Sequence, residues 1–368
     1  MLRVARYTLI AASIALTLVG CRDATAPDHA ARPSGPTAMV SRFAHDTASL
    51  VLHNVAPQAT DPAINTALAD HYVWLDTTAR GNPNWRPGNP KLLVFLPGNN
   101  NTPAGWLRLE QEAARQGYHV IGLMYQNDIT VVNVCRGSPD PDCSGDLHLE
   151  VQDGIHRSSL VNVTPANGID NRLTKLLIYL DAQYPDEGWS RFLEDGAPKW
   201  SQIAVSGQSQ GAAQAALIGK LHHVDRVVMF SGPPDARVPD EADRWISIGA
   251  TPVAKYFALF HKRDHLVAGI RMNLAALDLL RFGDAVLVGD SVGAQLGEPP
   301  YGGTHVLTTD LRPTLGYGAP NAPHQSTARD NNTPIGSDST PLLRDAWRYL
   351  LGEPPQGGSE KVVTLRTP

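Results

Sequence analysis

The chain of 368 residues is short of several things, and each shortage excludes something. Only 3 cysteines are present, too few for a disulfide framework standing in for a core or for a four-thiolate metal site. Charged residues make up 18%, below the usual quarter, and the 32 Gly and 29 Pro follow no period, so neither a coiled coil nor a collagen-like rod is possible. A basic excess is missing too. With 31 Lys and Arg against 36 Asp and Glu, a formal net charge of -5, no positive field exists to hold a phosphate backbone, which argues against a nucleic-acid partner. No apolar run reaches the roughly 18 to 20 residues that a membrane-spanning helix needs. What remains is a loop-rich globular chain without internal repeats, long enough for one large α/β domain or two ordinary ones.

The N-terminus reads as an export signal. Arg3 and Arg6 precede an apolar run over 7–19 that stops at Gly20-Cys21, which makes residues 1–20 a signal peptide. Leu18-Val19-Gly20-Cys21 resembles the bacterial lipobox. That resemblance implies a lipidated Cys21 at the start of the mature chain, anchored in the cell envelope on the periplasmic or outer face of a membrane, since two or more acyl chains hold stably. The alternative is cleavage after Ala24-Thr25-Ala26 and release as a secreted protein. Residues 21–45, Ala- and Pro-rich, read as a flexible tether, and 356–368 as a tail. In an exported chain, Cys135 and Cys143 should form a disulfide across a Pro-containing loop, stapling an insertion over 126–168 that is long enough for a lid.

The body, 46–355, alternates short apolar runs with helical patterns. The runs are 91–96 (KLLVFL), 119–125, 202–206, 226–230, 255–260 and 285–288, each suited to a strand buried on both faces. Helical patterns cover 105–116, 169–183, 211–221 and 270–281, with a last helix over 341–351. Segments 50–53 and 72–75 could add early antiparallel strands. This rhythm predicts an α/β fold: one doubly wound, mostly parallel sheet with helices on both faces, in a single domain.

Gly207-Gln208-Ser209-Gln210-Gly211 is a GxSxG motif between a predicted strand and a predicted helix. A strand that turns sharply into a helix holds the serine hydroxyl clear of the sheet, and glycine at plus and minus two leaves room for the turn. The N–H of Gln210, at the helix start, suits an oxyanion hole. A second donor should come from the loop Pro97-Gly98-Asn99-Asn100-Asn101; Asn99 is the first choice and Asn100 the alternative. An acid and then a histidine should follow. Asp264, after the strand 255–260, leads over Asp235; His324, in a loop ahead of the last helix, leads over His305.

Together the elbow, the Pro-Gly loop and the late Asp and His resemble the α/β-hydrolase superfamily over about residues 65–352. LPGN, the paired cysteines, Asn171-Arg172-Leu173, GQSQG and His324-Gln325-Ser326 are similar to a little-characterised bacterial branch of it, whose elbow is commonly GHSQG and whose base lies in an HNS-like segment. Gln208 and Gln325 depart from that pattern and could alter substrate contacts. The resemblance implies serine hydrolase chemistry through Ser209, His324 and Asp264 and leaves the substrate open; a carboxylic ester is the leading expectation. A peptidase or amidase on the same triad, and a catalytically silent surface-binding lipoprotein, are the other readings. Nothing in these motifs requires a cofactor. Asp140 to Asp146 begins like a calcium loop, but Val151 stands where the bidentate Glu belongs. Neither His261, Asp264 and His265 nor His222 and His223 have a further ligand at zinc-motif spacing, so no metal is expected. Trp106 and Trp189 read as packing residues.

Overall fold

The computed structural model describes residues 50–77, 91–235, 241–247, 249–289 and 299–352. The signal peptide, Cys21, the tether and the 356–368 tail lie outside the described residues. The strands are β1 (Leu50–Val55), β2 (His71–Asp76), β3 (Lys91–Leu96), β4 (Tyr118–Gly122), β5 (Leu193–Glu194), β6 (Ala197–Pro198), β7 (Ile203–Gln208), β8 (Arg226–Phe230), β9 (Tyr256–His261), β10 (Val286–Leu287) and β11 (Val306–Thr309). The α-helices are α1 (Pro57–Thr60), α2 (Leu107–Arg115), α3 (Val131–Val134), α4 (Cys143–Asp153), α5 (Ile169–Gln183), α6 (Gln210–Leu221), α7 (Val267–Ala276), α8 (Ala322–Gln325) and α9 (Arg344–Leu351).

Nine strands form one sheet in the order β1-β2-β4-β3-β7-β8-β9-β11-β10. β1 and β2 run antiparallel at one edge, β2 meets β4 antiparallel, and every pairing from β4 through β3 to β10 is parallel. The protein is thus a mixed α/β fold on a large, mostly parallel sheet. β3 shows why its run is continuously apolar. Leu92, Val94 and Leu96 enter the core on one face, while Leu93 and Phe95 enter the core on the other. With period-two alternation both faces need apolar residues, and each fully buried Leu or Phe contributes roughly 1.5–3 kcal/mol. α4, α5, α6 and α7 cover the first face, α2 and α9 the second.

The expected strands at 91–96 and 226–230 and the helix at 169–183 coincide with β3, β8 and α5. Two features differ. The segment 126–168 contains α3 and α4, and Leu147, Val151, Val161 and Val163 lie in the main core. Its second half is therefore core structure, not a free lid. α4 (CSGDLHLEVQD) escaped the pattern because it buries polar Ser144, His148, Glu150 and Gln152 along with its leucine and valine. β11 inserts between β9 and β10. Cys135 and Cys143 form the disulfide, with Sγ–Sγ 2.04 Å and Cα–Cα 5.7 Å. Among the described residues, no helix is long and apolar enough to cross a membrane.

Candidate active site

Ser209 occupies the one-residue gap between β7 and α6 with φ 58° and ψ -122°, a conformation that costs a non-glycine residue about 1–3 kcal/mol. Its backbone is fixed from both sides. The Ser209 N–H donates to the Phe230 carbonyl at 2.9 Å, and the Ser209 carbonyl accepts from Ala212 at 2.9 Å and Ala213 at 3.2 Å. The flanking glycines are steric requirements. A Cβ on Gly207 would lie 2.2 Å from the Gly211 carbonyl oxygen, and one on Gly211 would lie 2.1 Å from that of Leu96. Both obstacles are backbone, which cannot swing aside as a side chain can.

Two distant segments meet this serine. Asp264, in the turn after β9, and His324, in α8, form a chain: His324 Nε2 lies 2.7 Å from Ser209 Oγ and His324 Nδ1 lies 2.7 Å from Asp264 Oδ2. The carboxylate can only accept, so Nδ1 carries the proton and Nε2 is left to accept from the serine hydroxyl. Asp264 is 2% exposed, and its Oδ1 accepts the Leu266 N–H at 2.8 Å, which holds the carboxylate in place. Gln208 ties the histidine segment to the elbow, because its side-chain amide donates to the His324 carbonyl at 3.0 Å. Gln325 is occupied elsewhere, accepting from Asn332 Nδ2 at 2.6 Å. Gln208 thus ties down the histidine backbone, and Gln325 braces its loop.

The loop after β3 packs directly on the elbow. A Cβ on Gly98 would sit 2.6 Å from Gln208 Oε1, 3.1 Å from the Gln208 carbonyl oxygen and 3.4 Å from Ser209 Cβ, so this backbone lies close against the elbow. Asn99 and Asn100 differ in their partners. The Asn100 N–H is taken by the Asn127 carbonyl at 2.9 Å. Among the described residues, the N–H groups of Asn99 and Gln210 have no acceptor. Asn127 also donates through Nδ2 to the Gly98 carbonyl at 3.0 Å and the Asn101 carbonyl at 2.9 Å, while its own carbonyl accepts from Asn99 Nδ2 at 2.7 Å. Thr130 Oγ1 adds a bond to Asn99 Oδ1 at 2.7 Å, and the Val131 N–H reaches Gln210 Oε1 at 3.3 Å. Asn127 and Thr130 are the residues beside the elbow that sequence reasoning missed. The only signal was a polar stretch directly after a strand beside the Pro-Gly loop.

The alternatives are engaged elsewhere. Asp235 lies in a buried cluster, its Oδ2 3.0 Å from His148 Nε2, whose Nδ1 meets Gln214 at 2.8 Å. Burial alone would lower the His148 pKa, but the hydrogen bond and charge of Asp235 leave it raised. Close by, burial first and the Asp235 charge second push Asp243 up to about 7. His305 is sandwiched between Phe257 and Phe282, at ring distances of 4.1 and 3.8 Å, with Nδ1 on the Tyr256 carbonyl. His261 binds the Leu311 carbonyl at 3.0 Å and accepts the Arg263 N–H. His222 stacks on Trp200. Trp106 and Trp189 are fully buried. Asp140 Oδ1 accepts the Asp142 N–H at the start of α4, an arrangement of a helix-entry turn.

Compared with known proteins, the chain matches no family model and no curated protein sequence.

Proposed function

We propose that the protein is a serine hydrolase of the α/β-hydrolase type that cleaves carboxylic esters through an acyl-enzyme. The observation that carries this is the chain of two 2.7 Å contacts from Ser209 through His324 to Asp264, assembled at a strained elbow. In the proposed cycle His324 Nε2 takes the Ser209 proton as Oγ attacks the ester carbonyl, and Asp264 stabilises the resulting imidazolium. The oxyanion that develops is received by the N–H groups of Asn99 and Gln210, the latter with the positive end of α6 behind it. His324 then returns the proton to the leaving alcohol, and water attacks the acyl group by the same route in reverse.

A fluorophosphonate probe tests the reading. Folded protein should be labelled at Ser209, and Ser209→Ala and His324→Ala should each abolish labelling, whereas His305→Ala should not. Absence of labelling in the folded parent protein would leave a silent binding lipoprotein as the better account. A chromogenic ester series run beside a peptide-amide series separates esterase from amidase. The lipid anchor at Cys21 belongs to the same proposal; metabolic labelling with a fatty acid should mark the parent chain and not Cys21→Ala.

A further inference from the structure

Asp264, His265 and His324 each offer one ligand atom, and those atoms all lie within 4.8 Å of one another. The sequence set His265 and Asp264 side by side without a further ligand; folding brings His324 from 60 positions away to supply one. His265 Nδ1 is 3.6 Å from Asp264 Oδ1, and its ring meets that of His324 edge-on at 5.3 Å. The buried pair is covered, but the His265 side chain is 52% exposed, so an ion can reach the group from solvent through it.

We propose that these three side chains bind zinc, and that zinc reversibly switches the serine off. Two imidazoles and one carboxylate are a donor set that zinc accepts in tetrahedral geometry, with a water in the fourth place; magnesium and calcium, which prefer all-oxygen sites, are poorly served. With bonds of about 2.0–2.2 Å, tetrahedral ligand atoms stand about 3.4 Å apart. The 3.6 Å His265 contact ends on Asp264 Oδ1 and the 2.7 Å His324 contact on Oδ2, so the carboxylate must turn to present one oxygen to both, while the three ligand atoms, now within 4.8 Å of one another, adjust by roughly an ångström to that spacing. The ion occupies the place of the proton between His324 Nδ1 and Asp264. That proton is relocated through solvent to Nε2, so the ring stays neutral and no net proton is lost. Nε2 then faces Ser209 as a donor and cannot accept the hydroxyl proton. One tautomeric change abolishes the base without displacing the serine.

The binding half of this inference is independent of the hydrolase reading; the inhibition half rests on it. Calorimetry with zinc chloride on the Ser209→Ala protein should show one site, weakened at least tenfold in Ser209→Ala/His265→Ala. Absence of binding, or equal binding to both proteins, overturns the site. Probe labelling of the parent protein should fall with zinc, return with chelator and be indifferent to magnesium. His265→Ala, compared with its own zinc-free labelling, should resist zinc at least tenfold better than the parent. Zinc that binds without slowing labelling, or magnesium that acts equally, overturns the switch. If the parent is never labelled even without zinc, it is the hydrolase reading that fails, and calorimetry still decides the site.

Discussion

Asn127→Ala is the sharpest perturbation of the proposed oxyanion hole, because Asn127 touches the loop and not the relay. The substitution removes two donated bonds, to the Gly98 carbonyl at 3.0 Å and the Asn101 carbonyl at 2.9 Å. It spares the two bonds that end on the Asn127 main-chain carbonyl, from Asn100 N and Asn99 Nδ2. Two lost bonds of about 1 kcal/mol each predict roughly 2 kcal/mol of destabilisation, a modest fall in Tm. The effect on chemistry should be larger than that figure suggests. Loss of an oxyanion donor costs about 10²- to 10³-fold in kcat, and a donor loosened but still present should cost about 10- to 100-fold with KM little changed. Asn127→Asp keeps the size but cannot donate and sets a charge against two carbonyls, so it should be at least as impaired. The assay is kcat and KM on a chromogenic ester, with thermal unfolding in parallel. If Asn127→Ala lowers Tm but keeps kcat within twofold, the loop is not a preorganised donor and the reasoning fails.

Three further outcomes are expected. Asp264→Asn should lower kcat by about 10³-fold or more, because the amide no longer enforces the Nδ1–H tautomer of His324; Asp235→Asn should lower Tm and leave kcat within a few-fold, and the opposite pattern would reassign the acid. Gly211→Ala should prevent stable folding or cost about 3 kcal/mol or more in denaturant unfolding, since its Cβ would stand 2.1 Å from the Leu96 carbonyl oxygen. Asp243 has its folded pKa near 7 against an ordinary value near 3.8, so the native state holds its proton more tightly and stability falls as pH rises through that window; Asp243→Asn should gain stability over the parent by on the order of 2 kcal/mol more at pH 8 than at pH 5, read by denaturant titration at both. The raised pKa of His148 acts in the same direction, its stabilisation being present at low pH and lost as pH rises through the folded value. An equal difference at the two pH values would show that Asp243 is not buried as a neutral acid.

The parallel strands were legible because burial on both faces leaves a clear mark, a short run with no polar position after its first residue, as in β3 and β8. α4 was not, because its buried face is polar and pairs with groups far along the chain: Ser144 with Asp243, His148 with Asp235, Gln152 with Asp170. No local periodicity records such partners. Asn127 failed to stand out for a similar reason, since what it satisfies is the backbone of another loop.

By itself the sequence determined the alternation of strands and helices, the glycines that let Ser209 turn, and a short choice of acids and bases, because these depend on local sterics and on faces that need covering. Which acid and which histidine meet the serine was decided only by the tertiary structure. Asp235 and Asp264 both follow parallel strands and are both buried; one is drawn to His148 and the other to His324 by the elements packed over them. The same folding set His324 beside His265, an encounter that spacing along the chain could not foretell, because ligand distance is a property of the packed molecule and not of residue order.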